Sequence, residues 1–403
     1  MDKKESNKEA VILSAARTPS GRFQGSLRGM SAPELGAVVI REAVKRAHLP
    51  DLTLIDEVIM GNVVSAGLGQ APARQAAIFS GLPVTVGATS VNKVCGSGLK
   101  SVIFGAQAIH AGEQQLFVCG GMESMSRAPF LVDHRANPPK FGHAELRDSL
   151  LHDGLWDPFE NWGMGNAAEF IAEVYDISRE EMDEFSLNSH KKAIQAIENG
   201  KFEAEIVPIE LKDRKGNITL FTTDETPRAD TTLEALAKLR PAFQKDGKVT
   251  AGNSPGLNDG AAAVVVSSRY YADQNGLKPI ARIVGYDQAA VEPKYLFDAP
   301  SKAIPKLLDR IGWNLKDVDL IEINEAFAAQ ILANGKALKD KGWNWDIVNI
   351  HGGAIALGHP IGASGARVLT TLLYALEETG GKRGIAALCL GGAEAVAMAI
   401  ELE

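Results

Sequence analysis

Short runs of Val, Ile, Leu and Ala alternate with longer amphipathic stretches through the first third of the chain. Residues 10–15, 57–60 and 116–118 have the length and composition of buried strands, while 34–46 and 99–110 repeat their apolar positions at helical spacing. That alternation predicts a βαβ sheet. The rhythm returns after Pro279, with strands at 280–284, 320–323, 384–388 and 395–400 and helices at 303–311, 326–337 and 365–376.

The two stretches share local text. Asp56-Glu57-Val58-Ile59-Met60-Gly61-Asn62 matches Asp319-Leu320-Ile321-Glu322-Ile323-Asn324 in pattern, and Gly96-Ser97-Gly98-Leu99-Lys100 parallels Ala363-Ser364-Gly365-Ala366-Arg367. Gly120-Gly121-Met122-Glu123-Ser124 parallels Gly391-Gly392-Ala393-Glu394-Ala395. Three matches in one order, at a near-constant offset, indicate tandem duplication of an α/β unit. Between the halves the text turns to Pro, Trp and charge, with helical patterns only at 166–174 and 179–198. An insertion of that length usually carries function. The expected organisation is an N-terminal half over 1–125, completed by about 256–279, an inserted loop domain over 126–255, and a C-terminal half over 280–403.

Composition narrows the chemistry. The chain has 403 residues and a net charge of −8, without the long basic run that a nucleic-acid partner requires. An anionic ligand would need a local cluster of positive charge, and Arg135, Lys140, His143 and Arg147 offer one. Three cysteines, Cys95, Cys119 and Cys389, make no disulfide framework and no CxxC metal pair, so reduced thiols and a cytoplasmic setting are expected, with no metal. The charged start, Met1 to Glu9, does not read as a signal peptide, Glu401-Leu402-Glu403 is no targeting tripeptide, and no apolar run reaches the roughly 18 residues of a membrane span.

Four places carry chemistry. In Val94-Cys95-Gly96-Ser97-Gly98-Leu99 a thiol precedes small residues and a helical run, which predicts a sharp strand-to-helix turn whose helix N-terminus favours a thiolate; the plain alternative is a buried, inert thiol, the reading given to Cys119. The glycine-rich text around Gly358-His359-Pro360-Ile361-Gly362 needs a backbone that approaches something closely, and His359 is either a base or a packed residue. His351 is read as structural. Asn324 ends a strand, as an N-cap or as a functional amide. Cys389-Leu390-Gly391-Gly392 ends another strand beside free N–H groups able to form an oxyanion hole. All four fall at strand ends, where open α/β sheets bind ligands.

These residues closely resemble the thiolase family, most of all its biosynthetic, acetyl-CoA acetyltransferase branch. Family-like text runs from Ala10 to the last residues, through Val11-Ile12-Leu13-Ser14-Ala15-Ala16-Arg17-Thr18-Pro19, Gly69-Gln70-Ala71-Pro72-Ala73-Arg74-Gln75-Ala76, Lys238-Leu239-Arg240-Pro241-Ala242-Phe243, Thr250-Ala251-Gly252-Asn253 and Asn258-Asp259-Gly260-Ala261. The resemblance implies a duplicated α/β thiolase fold with a five-layer αβαβα core and an inserted loop domain that binds coenzyme A and contributes to a homotetramer, a dimer of dimers. It implies no permanently bound cofactor; coenzyme A, acetyl-CoA, acetoacetyl-CoA and other 3-oxoacyl-CoAs are the substrates.

By the same resemblance Cys95 is the acylated nucleophile and Cys389 the acid/base at the substrate C2. His359 activates Cys95 and bonds the thioester oxygen, Asn324 holds a water, and the N–H groups of Cys95 and Gly391 form an oxyanion hole. Leu155, Met164, Arg228, Ser254 and Phe327 fall on family positions around coenzyme A. Three departures stand out: Ala393-Glu394-Ala395 where the family has Gly-Met-Gly, which puts a carboxylate near Cys389; Pro255 for a coenzyme A-contacting Ser; and Gly163 for the His of acetoacetyl-specific members, which leaves chain length open. A decarboxylating ketoacyl synthase would use two histidines and no second cysteine, and the remote alternative, a catalytically silent scaffold that has kept the fold, is opposed by the presence of all four chemical groups.

Overall fold

The computed structural model describes residues 8–112, 114–132, 141–213 and 215–403. Strand β1 (Ala10–Arg17) is buried along its whole length. Its side chains still alternate: Val11 and Leu13 enter one apolar cluster, Ala10 and Ile12 another on the opposite face. A strand covered on both faces loses the apolar–polar alternation and reads as one run. Helix α1 (Ala32–Arg46) opens on a capping box, in which Ser31 accepts the N–H of Glu34 and Glu34 reaches back to Ser31, with Pro33 in the first turn. There follow β2 (Glu57–Gly61), α2 (Pro72–Phe79), β3 (Gly87–Val91), α3 (Ser97–Ala111) and β4 (Leu116–Ser124).

The chain then leaves the sheet for a long excursion with small two-stranded ribbons, α4 (Met164–Val174) and α5 (Arg179–Glu198). It returns as β5 (Asn258–Ser268) and β6 (Ala281–Ala290), then α6 (Ala299–Ile311), β7 (Leu320–Ile323), α7 (Ala328–Leu338), the short α8 (Ala354–Leu357), α9 (Ser364–Thr379), β8 (Arg383–Leu390) and β9 (Glu394–Leu402). Arg17 at the end of β1 anchors the excursion, bonding Glu205 at 2.5 Å and both carboxylate oxygens of Asp224 at 2.7 and 2.9 Å. All three are buried, so removing one partner would strand a charge at a cost of about 3–5 kcal/mol.

The main path of the sheet runs β7-β8-β9-β6-β1-β5-β4-β2-β3, and its two ends repeat each other. β1 pairs antiparallel with β5, β5 with β4, and β4 runs parallel to β2 and β2 to β3. In the second half β6 pairs antiparallel with β9, β9 with β8, and β8 runs parallel to β7, with a parallel bridge from Ile321 to Val348 where β3 would lie. Even the register shift at Leu13 in β1 recurs at Val284 in β6. The halves meet through Val11↔Arg282 and Ile12↔Ala281.

The apolar clusters define the layers. One packs α1 and α2 on the outer face of the first half-sheet, and another packs α6 outside the second. The largest shared cluster puts α3 and α9 between the half-sheets, which gives helix, sheet, helix, sheet, helix. The middle helices cross at Gly98 and Gly365: a Cβ on Gly365 would lie 2.2 Å from Leu99 N, and one on Gly98 2.7 Å from Ala366 N. That contact explains the repeated Gly/Ala-Ser-Gly text.

The register corrects the third repeat match. Asp56 accepts the N–H groups of Gln115 and Leu116, and Asp319 accepts those of Lys382 and Arg383. Asp56 therefore corresponds to Asp319 and Leu116 to Arg383, offsets of 263 and 267, and Ser97 corresponds to Ser364. Gly120 then corresponds to Ala387, and Asn324 to Gly61 rather than Asn62. Gly391-Gly392 forms the turn after β8, whereas Gly120-Gly121 lies inside β4, so the shared text marks different places. The sequence pattern also passed over α2, β3 and β5. β5, buried at all 11 positions, has no period to betray it.

Candidate active site

The turn from β3 into α3 is built by its own side chains. Asn92 Oδ1 accepts the N–H of Val94 at 3.0 Å, and Ser97 Oγ accepts that of Lys93 at 2.8 Å. Val94 is thereby held at φ +46°, a left-handed conformation that costs a β-branched residue about 1–3 kcal/mol. Cys95 follows it immediately. The turn seats against the end of β8: a Cβ on Gly96 would lie 2.5 Å from Leu390, and one on Gly391 3.1 Å from Val94. The Gly391 N–H faces the Cys95 sulfur and favours its ionised form.

Burial works against the expected thiolate. Cys95 keeps some exposure as a residue, yet its thiol packs among Val63, Val64, Met125, Leu150 and Ile361. Burial pushes that thiol up to about 12; the N–H groups of Gly391 and Cys95 pull the other way, and the charge of Glu123 adds to the rise. Desolvation outweighs the helix N-terminus here. Burial also raises Cys389, with the charge of Cys95 as the second cause, so the two thiols sense each other. Cys119 is buried on β4 and likewise raised by burial.

His359 is set by a different device. Its backbone N–H bonds Asn258 Oδ1 at 2.9 Å, and Gly358 turns at φ +93° tight against the Asn258 side chain. Nδ1 lies 2.6 Å from Ser364 Oγ, and the Ser364 hydroxyl donates to the Pro360 carbonyl at 2.9 Å. The serine proton being used, Nδ1–H is the donor. Asn324 Nδ2 approaches Nε2 at 3.4 Å, which suits an unprotonated Nε2. Burial, with the charge of Arg367 second, drives the imidazole down to about 3, so it is neutral. Asn324 is fully buried, and its Oδ1 has no hydrogen-bond partner among the described residues, leaving an acceptor beside the imidazole.

The other expected positions divide. Leu155 packs on the cluster that includes Cys95, while Met164 and Phe327 share a cluster with Cys389. Ser254 Oγ donates to the Thr250 carbonyl at 2.7 Å. Arg228 is exposed and its N–H bonds His190, with nothing bringing it to the thiols. His143 and Arg147 are exposed, and Arg135 and Lys140 lie outside the described residues. His351 pairs with Glu378 at 2.9 Å.

Glu394 is a correction. Cys389 is paired with Ala395 across the β8–β9 ladder and Leu390 with Glu394, so Glu394 points to the opposite face from Cys389. There its carboxylate pairs with Lys93. Ala393, in the place of a family glycine, sits at φ +61°. The pattern also missed Glu123, a fully buried carboxylate next to the site that burial raises to about 7; its only signal was its place in Gly120-Gly121-Met122-Glu123-Ser124.

Comparison with known proteins covers nearly the whole chain. Residues 10–270 match the family model "Thiolase, N-terminal domain" and 277–402 match "Thiolase, C-terminal domain". An acetyl-CoA acetyltransferase of Pseudomonas aeruginosa is 53% identical over 97% of this chain and 99% of its own length, and one of Escherichia coli (strain K12) is 52% identical over 98% and 99%. The crystal structure of the Bacillus anthracis acetyl-CoA acetyltransferase superimposes with a TM-score of 0.94 at 43% identity, covering 98% of this chain and 99% of that one.

Proposed function

Because this chain belongs to the thiolase family, we propose that it works as an acetyl-CoA acetyltransferase, with Cys95 as the acyl carrier. It condenses two acetyl-CoA to acetoacetyl-CoA and coenzyme A, and runs the reverse thiolysis. The observation that supports the assignment of roles is the seating of the strained Cys95 turn against the Cys389–Gly391 strand end, with Ile361, two residues from the neutral His359, in the cluster on which Cys95 packs.

The neutral starting thiols set the proton path. His359 Nε2 takes the Cys95 proton as the sulfur attacks the acetyl-CoA carbonyl, and the Gly391 and Cys95 N–H groups receive the oxyanion. The departing coenzyme A thiolate takes the proton of Cys389, which becomes the base. Cys389 then removes a C2 proton from the second acetyl-CoA, whose enolate oxygen is met by the imidazolium of His359 and by a water on Asn324. That carbanion attacks the acetyl carbon, and the expelled Cys95 sulfur recovers its proton from His359. Each oxyanion donor in such sites is worth about 3–4 kcal/mol. Coenzyme A-dependent loss of acetoacetyl-CoA, with mass spectrometry of the acetylated protein, tests this; an acetyl group on Cys389 with Cys95 unmodified overturns it.

Gly163 favours a second reading, a 3-ketoacyl-CoA thiolase of broader chain length. A Cβ there would meet nothing closer than Asn166 Oδ1 at 3.5 Å, so the position has room. Activity should extend beyond four-carbon 3-oxoacyl-CoA, and Gly163→His should narrow it. A parent enzyme confined to four carbons removes this reading.

Leu155, Met164, Arg228, Ser254 and Phe327 are assigned to coenzyme A, the first two and Phe327 supported by packing beside the thiols. Residues 126–255 are assigned as the loop domain that binds it and that contributes to a homotetramer. Exposed Phe130, Phe141 and Leu146 support a contact surface there, and light scattering tests it. Three free cysteines support a cytoplasmic setting.

A further inference from the structure

His359 sits in a segment held at two places by carboxylates that the proton path does not use. Glu123, at the end of β4 in the first half, is fully buried. Its Oε1 accepts Asn62 Nδ2 at 2.9 Å and the Val64 N–H at 3.3 Å; its Oε2 accepts the N–H groups of Val63 and Gly362, each at 3.0 Å. Glu325, in the second half, is 1% exposed. Its Oε2 accepts Ser189 Oγ at 2.7 Å and the Ile355 N–H at 3.1 Å, and its Oε1 accepts Asn349 Nδ2 at 3.0 Å. Ile355 and Gly362 bracket His359, four residues before it and three after.

We propose that Glu123 and Glu325 are positioning residues that pin the two ends of the 355–362 segment and so set the His359 imidazole. The inference rests on the role given to His359 above. Every neighbour named is a donor, and hydrogen bonds to an ionised acceptor are the stronger kind. Both oxygens of Glu123 face donors, so a glutamine there must turn its NH₂ against one pair and lose two bonds. The Glu123 bond to Gly362 also crosses from one half to the other, whereas Glu325 bonds its own half and α5. Glu123 should therefore matter more. The titratable groups that bear on Glu123 are the neutral Cys95 thiol and the carboxylate of Asp259 on β5.

The test compares E123Q and E325Q with the parent by thiolysis kinetics, by thermal melting, and by the pH dependence of iodoacetamide alkylation at Cys95 read by mass spectrometry. E123Q should lose about 10–100-fold in kcat, E325Q less, with KM for coenzyme A within about threefold, the size of effect a small misplacement produces. Alkylation of Cys95 in E123Q should shift to lower pH, because a negative charge has left its surroundings. A merely structural lesion would lower activity and stability together and leave that profile in place. E123D, which keeps the charge and both acceptors, should recover part of kcat.

If E123Q does not fold, Asn62→Ala removes one donor from Glu123 and should cost a few-fold in kcat. The proposal is overturned if both glutamine variants keep kcat within twofold, if the Cys95 profile stays put in a folded E123Q, or if Asn62→Ala is without effect where it alone is measurable. A parent without thiolysis would instead defeat the functional assignment, which separates the two failures.

Discussion

The turn before α3 and the turn before α9 occupy the same place in the two halves, and their difference bears on the roles proposed for each. Asn92, Lys93, Cys95 and Ser97 correspond to His359, Pro360, Gly362 and Ser364. In the first turn Ser97 Oγ accepts the Lys93 N–H and donates to the Val94 carbonyl, so its hydroxyl is spent on the backbone. In the second, Pro360 has no N–H to donate. The Ser364 hydroxyl still donates to a carbonyl, that of Pro360, but its acceptor side is free for the imidazole. Losing one backbone donor thus leaves the Ser364 hydroxyl free to accept from the His359 imidazole. The first turn carries strain at Val94 and presents a thiol; the second has no positive φ at Ile361 and offers the Gly362 N–H to Glu123.

The deepest cut into this comparison removes the thiols. Cys95→Ala should leave no acetylated protein after exposure to acetyl-CoA and lower turnover by about three orders of magnitude or more, as loss of a nucleophile does. Cys389→Ala should still acetylate at Cys95 yet fail to form or cleave acetoacetyl-CoA. Equal acetylation of the two variants would erase the distinction between the thiols.

Next in size is the pH response of the free protein. With the Cys95 thiol held up to about 12, the thiolate is scarce at neutral pH and its fraction grows tenfold per unit. Iodoacetamide alkylation at Cys95 should therefore climb about 100-fold from pH 7 to 9. A plateau below pH 8 would mean that the helix N-terminus outweighs burial after all.

Ser364→Ala tests the second turn directly. Without its acceptor the imidazole can adopt the wrong tautomer, and kcat should fall by about 10–100-fold with little change in melting temperature, the scale seen when an orienting partner is removed. Pro360→Ala restores a backbone N–H that competes for Ser364 and should cost only a few-fold. If the two changes had equal effects, the missing N–H would not be the reason for the arrangement. The smallest effect belongs to Glu394→Gln. Its carboxylate lies across the sheet from Cys389, so C2 proton exchange should stay within about twofold of the parent, and a tenfold rise would place that charge beside the thiol.

Much of this was legible along the chain. The apolar runs located β1, β2, β4 and β6–β9 together with α1, α3, α6, α7 and α9. Small residues around Cys95, His359 and Cys389 marked the strand ends where chemistry gathers, because close backbone approach excludes side chains and leaves that mark in the text. β5 stayed hidden because a strand buried on both faces has no alternation to read. The third repeat match went astray because glycine pairs serve a strand interior in one half and a turn in the other.

By itself, then, the sequence determined the family and the duplicated architecture and named the four groups proposed for the site, since each depends on local pattern and on residue type. Only the tertiary structure decided their states. Whether Cys95 is a thiol or a thiolate depends on how much water the packed halves exclude. Which face Glu394 takes depends on pairing between β8 and β9, and which hydroxyl is free for His359 on a comparison of two turns 267 residues apart. Desolvation, register and competition for donors are properties of the assembled neighbours, and no stretch of the chain contains its own neighbours.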